Sequence, residues 1–282
     1  MTTLYITDLD GTLFGADSRV SDESVRLINA LPANKLFTIA TARTPATVDL
    51  ILPPEIGPHI PAIVLTGAAL WHHDLRRYSD VRLMNTADAL FAEEAMLAQG
   101  LAPFTYTIDE NGGMLYAFGR IPHGRSAFEP LTPAERAFVD ERRELPLKKI
   151  IIDDRAERIY PPLLVFGIGT KEQVDRAART VRASTDCAVS VYGDVFNHDK
   201  GFIEVFASGV SKGHAALKLK ERLGADRLVV FGDSHNDLAM LSVADTAVAM
   251  ANAADDVKAA AHIVIGPNTE SSVARFIADD TM

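Results

Sequence analysis

Asp8 and Asp10 stand two positions apart at the end of a short apolar run, in the string Asp8-Leu9-Asp10-Gly11-Thr12. Carboxylates that close repel each other unless a cation joins them or one keeps its proton. The first outcome calls for a hard metal ion, and the second supplies a proton donor. An EF-hand calcium loop is excluded: its twelfth position, counted from Asp8, is Arg19, where a bidentate Glu is required. Further along, Thr41-Ala42-Arg43 offers a hydroxyl and a cation, Lys212 an ammonium, and Gly232-Asp233-Ser234-His235-Asn236-Asp237 a second acidic string. Mg²⁺ takes six hard oxygens, shared among carboxylates, waters and a substrate phosphate, so three of these acids would suit it. Thr41 and Lys212 suit a phosphate, one as a hydroxyl donor and the other as a point charge. An ionised Asp held in line with a phosphorus whose charge is shared by metal and lysine can act as a nucleophile and form an aspartyl-phosphate.

These groups need elements to position them, and the flanking pattern alternates strand and helix. Leu4 to Ile6 reads as a strand covered on both faces, broken by Gly11. Ser21 caps a helix with Val25, Ile28 and Leu31 on its apolar face; Leu36 to Ala40 is the next strand. Thr44 and Pro45 open another helix, and Pro61 to Leu65 is expected as a third strand of the same parallel sheet. Ligands of open α/β sheets bind outside the carboxyl ends of the strands, which places the Asp8 and Thr41 loops on one rim. A short hairpin is expected through Trp71 to Tyr78.

The middle of the chain changes character. After a helix from Thr86 towards Gly100, Phe104 to Ile108 and Met114 to Phe118 flank the turn signal Asp109-Glu110-Asn111-Gly112-Gly113. A loop around Pro122 to Pro130 is followed by a helix from Thr132 and strands at Lys149 to Ile152 and Leu163 to Ile168. A helix from Thr170 to Arg182 and strands near Ala188 to Tyr192 and Phe202 to Phe206 complete the block. The alternating pattern then resumes. Ser211 opens a helix to Leu223, Leu228 to Phe231 is a strand running into Asp233, and a helix is expected over 236–243. The fold class is therefore α/β: a doubly wound parallel-sheet core over 1–81 and 208–282, interrupted by an α+β unit over 82–207.

Composition excludes several classes. A formal charge of −10 over 282 residues repels nucleic acid and anionic membranes, so a small molecule is the expected partner. No apolar run approaches the roughly 20 residues that span a bilayer. The single cysteine, Cys187, forms no internal disulfide, and Met1 to Thr7 carries no basic leader, which points to the cytoplasm. Nothing in the sequence sets an oligomeric state, and a monomer suffices.

Taken together, the residues resemble a haloacid dehalogenase superfamily phosphatase of the Cof-type, sugar-phosphatase-like branch, with a large cap inserted between its second and third signatures. Asp8-Leu9-Asp10-Gly11-Thr12 matches the first signature, Thr41 the second, Lys212 the third and Gly232 to Asp237 the fourth. The resemblance implies Asp8 as nucleophile and Asp10 as general acid, then base. Thr41, with its neighbours Ala42 and Arg43, and Lys212 would hold the phosphoryl group. Mg²⁺ would be bound by Asp8, the backbone carbonyl of Asp10, and Asp233. Gly11 supports the first loop, Asn236 and Asp237 would orient Lys212 or the phosphate, and Asn268 is a substrate contact. Ala42 stands where the family usually has Gly, and Thr66-Gly67-Ala68 where Asn-Gly-Ala is common. The expected reaction is Mg²⁺-dependent hydrolysis of a small phosphate monoester, a sugar phosphate above all. The alternatives are a phosphomutase and a phosphate-binding regulator without turnover.

Other residues read as structural. His72-His73 is expected on an exposed hairpin, since no third metal ligand lies nearby, and His235 on a surface loop. Cys187 reads as a small core residue. Gly167-Ile168-Gly169 lacks the third glycine of a dinucleotide loop.

Overall fold

The computed structural model describes residues 1–52, 56, 60–125, 131–152, 160–193 and 199–280; the side chains of residues 50 and 51, and the Pro122 to Pro130 loop beyond residue 125, lie outside the described residues. The chain forms two compact units, one from Met1–Asp80 with Ser211–Met282 and the other from Val81–Val210.

The first unit opens with β1 (Thr3–Thr7), α1 (Asp22–Asn29), β2 (Lys35–Ile39), α2 (Pro45–Ile51), β3 (Ala62–Val64), β4 (Ala69–His72) and β5 (Arg77–Ser79). The second unit contains α3 (Thr86–Leu97), β6 (Phe104–Ile108), β7 (Leu115–Gly119), α4 (Pro133–Arg143), β8 (Lys148–Ile152), β9 (Pro162–Thr170), α5 (Lys171–Ser184), β10 (Ala188–Gly193) and β11 (Lys200–Phe206). The first unit then resumes with α6 (Lys212–Leu223), β12 (Arg227–Gly232), α7 (Leu238–Leu241), β13 (Thr246–Met250), α8 (Asp255–Ala260), β14 (Ile263–Ile265) and α9 (Ser272–Asp279).

Five parallel strands in the order β14-β13-β12-β1-β2 make the central sheet of the first unit, a doubly wound α/β core. β1 lies inside the sheet with Leu4, Tyr5 and Ile6 fully buried, as a run without polar alternation requires. At its amino-terminal edge the Tyr5 hydroxyl donates to Asp280 Oδ2 at 2.6 Å, and Arg227 pairs with the same carboxylate at 2.8 Å. Helix starts follow local chemistry. Ser21 Oγ accepts from Ser24 N–H at 3.0 Å, and Ser211 Oγ from His214 N–H at 3.1 Å.

One strand differs from expectation. β3 heads a separate antiparallel sheet, β3-β4-β5, and meets the edge of the central sheet in parallel through a bridge from Ala40 to Ile63, with Thr41 N–H donating to the Ile63 carbonyl at 2.9 Å. The apolar run predicts a buried strand but not its partner; a tight turn after Val64 reverses the chain, and β4 takes the ladder. The helix expected over 236–243 is likewise shorter, a 3₁₀ turn at His235–Asp237 followed by α7.

The second unit carries a six-stranded sheet, β10-β11-β9-β6-β7-β8, antiparallel except for the β7–β8 pair. The two-residue alternation of its strands sorts the faces. Val165, Ile203 and Val205 pack with Met96 of α3 and Val174 of α5, while Phe104 and Phe166 meet Phe138 of α4, with the Phe138 and Phe166 rings stacked at 4.6 Å. Lys148 is buried on this aromatic side, 5% exposed, its Nζ donating to the Tyr106 hydroxyl at 2.9 Å. No carboxylate among the described residues pairs with it.

Candidate active site

Adjacent strand ends build the rim. Ala40 N–H donates to the Thr7 carbonyl at 2.8 Å and Asp8 N–H to the Phe231 carbonyl at 3.0 Å, so the loops carrying Thr41, Asp8 and Asp233 leave the sheet side by side. Asp8 is buried at the centre. Lys212 enters from the first turn of α6, wholly buried, with Nζ 2.6 Å from Asp8 Oδ1 and 2.7 Å from Asp237 Oδ1; Asn236 Oδ1 lies 3.4 Å away. Asp237 turns its other oxygen back to its own loop, accepting from the N–H groups of Asp233 and Ser234, both at 3.1 Å. It is thus an orienting group whose two oxygens are both engaged.

Burial opposes the charge on Lys212, but the two carboxylates beside it outweigh that and hold the ammonium above its ordinary range. Asp8 is pushed up to about 8, first by burial, which the Lys212 charge only partly offsets, and further by Asp237 and Asp233. Asp233 is raised to about 6 by burial and by Asp237. The carboxylates at this rim outnumber the one ammonium among them, and a further cation would relieve the excess. Asp8, Asp233 and Asp237 each bring one oxygen within 4.8 Å of the others. Asp237 is already committed, which leaves Asp8 and Asp233 as the carboxylates able to accept a metal. Their all-oxygen chemistry fits Mg²⁺.

Gly11 lets these groups come together. Its φ is +80°, and a Cβ there would collide with the Asp233 carboxylate. Thr12 Oγ1 donates to Asp233 Oδ1 at 3.1 Å, fixing that carboxylate from the loop of Asp8.

Asp10 stands apart from Asp8 in its environment. Its side chain is 51% exposed and gripped on both oxygens by Arg43, Nε to Oδ2 at 2.7 Å and Nη2 to Oδ1 at 2.6 Å. Thr41 is buried, and its Oγ1 accepts from the Arg43 N–H at 3.1 Å, which leaves its own proton to donate. The Ala42 N–H has no partner among the described residues. Asn268, expected at a substrate, donates its amide to the Phe14 carbonyl at 2.6 Å and braces the loop after β1. A cavity of about 340 Å³ beside it is lined by Leu13, Arg19 and Ser271 and by none of Asp8, Asp10, Asp233 or Asp237.

Sequence reasoning missed Thr12 and Asn252. Asn252 Nδ2 donates to the Gly11 carbonyl at 2.8 Å, and its Oδ1 accepts from Asn268 N–H at 3.0 Å. Its place two residues beyond the end of β13, on the same rim, was the available signal. His73 is half-buried rather than exposed, its Nδ1 2.9 Å from Asp49 Oδ1, while His235 is exposed and lies 2.7 Å from Asp256.

Comparison with known proteins agrees with the fold. Residues 5–277 match the haloacid dehalogenase-like hydrolase family. A 5-amino-6-(5-phospho-D-ribitylamino)uracil phosphatase of Bacillus subtilis is 28% identical over 96% of this chain and 95% of its own length. A pyridoxal phosphate phosphatase of Escherichia coli is 48% identical over 82 residues, 28% of this chain and 29% of that protein. The crystal structure of a haloacid dehalogenase-like hydrolase from Bacteroides thetaiotaomicron superposes with a TM-score of 0.73 at 20% identity, covering 99% of this chain and all of the other.

Proposed function

The chain belongs to the haloacid dehalogenase-like hydrolases, and from that premise we propose that it is a Mg²⁺-dependent phosphatase of small phosphate monoesters, working through an aspartyl-phosphate on Asp8. The observation that carries the reading is the buried Lys212 ammonium bridging Asp8 and Asp237, with an oxygen of Asp233 within 4.8 Å of theirs. Asp8, Asp233 and the Asp10 carbonyl would hold the metal, which supplies positive charge to the phosphoryl oxygens and keeps Asp8 ionised.

The chain's own residues account for the rest. Lys212, the free Thr41 hydroxyl and the Ala42 N–H hold the phosphoryl oxygens, so that the charge spreading over them in the transition state meets fixed donors. The Asp8 carboxylate attacks phosphorus; the bond to the leaving oxygen breaks, and that oxygen takes a proton from Asp10. Water then attacks the aspartyl-phosphate, giving its proton to the Asp10 carboxylate and releasing phosphate with Asp8 restored. Asp10 reaches the leaving group once its pairing with Arg43 is exchanged.

Residues 81–210, inserted between the Thr41 and Lys212 segments, are read as the selector of the leaving group. The B. subtilis relative acts on a phosphorylated sugar-alcohol derivative, which favours sugar phosphates and related polyol esters here. No helix among the described residues is long and apolar enough to cross a membrane, and the lone Cys187 fits a reducing, cytoplasmic setting.

A screen of phosphate esters with Mg²⁺, followed by acid quench and mass analysis of the Asp8 peptide, tests the reading. Phosphate release with a transient phospho-Asp8 is expected. Binding of esters without release would make it a regulator, and interconversion of sugar-phosphate isomers a phosphomutase.

A further inference from the structure

Between β3 and β4 the chain makes a turn with three successive residues in the left-handed region: Leu65 at φ 52°, Thr66 at 57° and Gly67 at 96°. Glycine adopts this conformation freely; leucine does so rarely, and for β-branched threonine it is an outlier. Thr66 is 7% exposed, and its hydroxyl has no hydrogen-bond partner among the described residues. Locally the turn is closed by one backbone hydrogen bond, Ala68 N–H to the Leu65 carbonyl at 2.9 Å. What it achieves lies on either side: Leu65 N–H donates to the Arg43 carbonyl at 3.1 Å, and Thr66 N–H to the Thr41 carbonyl at 3.0 Å. On the opposite flank, Gly67 lies against the start of α6 so closely that a Cβ would collide with the Ser211 carbonyl and come within 3.1 Å of Lys212 N.

We propose that the Leu65–Gly67 turn is a positioning element that sets the spacing between the Thr41 hydroxyl and the Lys212 ammonium, two of the groups assigned to the oxygens of the transferred phosphoryl group. The inference rests on the phosphatase reading for its catalytic consequence, but the mechanical link is independent of it. Backbone strain is characteristic of functional sites, where surrounding contacts over-determine the conformation. Here those contacts are the carbonyls of Thr41 and Arg43 and the backbone of Ser211.

Gly67→Ala in the full chain tests the link. It should lift α6 away from the turn, so amide exchange at 41–43 and 211–214, measured without substrate, should rise at both segments together. With Mg²⁺ and p-nitrophenyl phosphate, kcat should fall by about 10²-fold, the scale of an ångström-sized misplacement, while KM moves far less. Thr66→Asn, which tolerates the left-handed region, should keep kcat within about two-fold while raising Tm, so that turnover follows spacing and not stability. Should Gly67→Ala fail to fold, Thr66→Gly relieves the strain at φ 57° without adding an atom and should lower exchange at the same two segments. A folded Gly67→Ala with unchanged exchange at either segment, or with kcat within two-fold of the parent, would overturn the proposal, as would unchanged exchange in Thr66→Gly. A parent protein without turnover would instead refute the phosphatase reading and leave exchange to judge the turn.

Discussion

Lys212 Nζ lies 2.6 Å from Asp8 Oδ1 with no solvent exposure of its own, so the proposed nucleophile, its side chain 8% exposed, rests on a counter-charge sealed inside the protein. Breaking such a pair from one side leaves a buried charge without compensation, which costs about 3–5 kcal/mol. Lys212→Met is therefore expected to lose both turnover and stability, the latter seen as a lower urea midpoint. Adding Asp237→Asn should return part of the stability and none of the turnover. A single variant as stable as the parent would contradict the pairing.

Asp8 and Asp10 sit in opposite environments, one buried on an ammonium and the other half-exposed on a guanidinium, and they should fail differently. Asp8→Asn removes the nucleophile, so loss should be near total and no phosphoenzyme should form. Asp10→Asn removes acid–base help, typically worth ~10²–10⁴-fold. The deficit should shrink for nitrophenyl phosphate, whose leaving group needs no proton, and a burst of phenolate should precede slow turnover. Equal losses on alkyl and aryl esters, without a burst, would take Asp10 out of the acid–base role.

Chelation should abolish activity, and Mg²⁺ should restore it more fully than Ca²⁺, whose larger and looser shell disturbs in-line geometry. Equal turnover with both ions, measured at saturating metal, would argue against Asp8 and Asp233 as a tight pair of ligands.

Lys148 gives a pH-dependent prediction in the second unit. Burial, reinforced by Arg142, lowers it to about 7 from 10.5. The unfolded chain therefore binds more protons between those values, and stability rises with pH across that window. The destabilisation is complete below about pH 7 and fades as pH approaches 10.5. Lys148→Met should raise the urea midpoint at pH 7 by the equivalent of a few kcal/mol, on the order of the shift. The gap between variant and parent should close by pH 10, and a pH-independent gap would show that packing alone is responsible.

Much of this architecture is legible in residue order because strand, breaker and functional group recur together: Ile6 before Asp8, Ile39 before Thr41, Phe231 before Asp233. The partner of β3 was not legible, since Ala62 to Val64 is equally apolar in either sheet and a turn built by Leu65 and Thr66, neither a usual left-handed residue, decides between them. Thr12 and Asn252 escaped for a related reason. Their roles are to hold Asp233 and the Gly11 carbonyl, and such bracing depends on how loops pack and not on residue type.

The order of strands in the central sheet carries a consequence for biosynthesis. β1 leaves the ribosome long before β12, yet the two strands pair, and beside that ladder Thr2 N–H meets the side chain of Asp226, 224 residues later. The second unit is continuous in the chain and is complete before β12 exists, so domain-wise folding during synthesis lets it form first. Asp8 meets Lys212 and Asp233 only once the chain has been made through β12 and the loop that follows it. Nascent chains arrested before residue 227 are thus expected to show a protease-resistant fragment from the second unit and no phosphatase activity, with activity emerging abruptly once β12 to β14 are released.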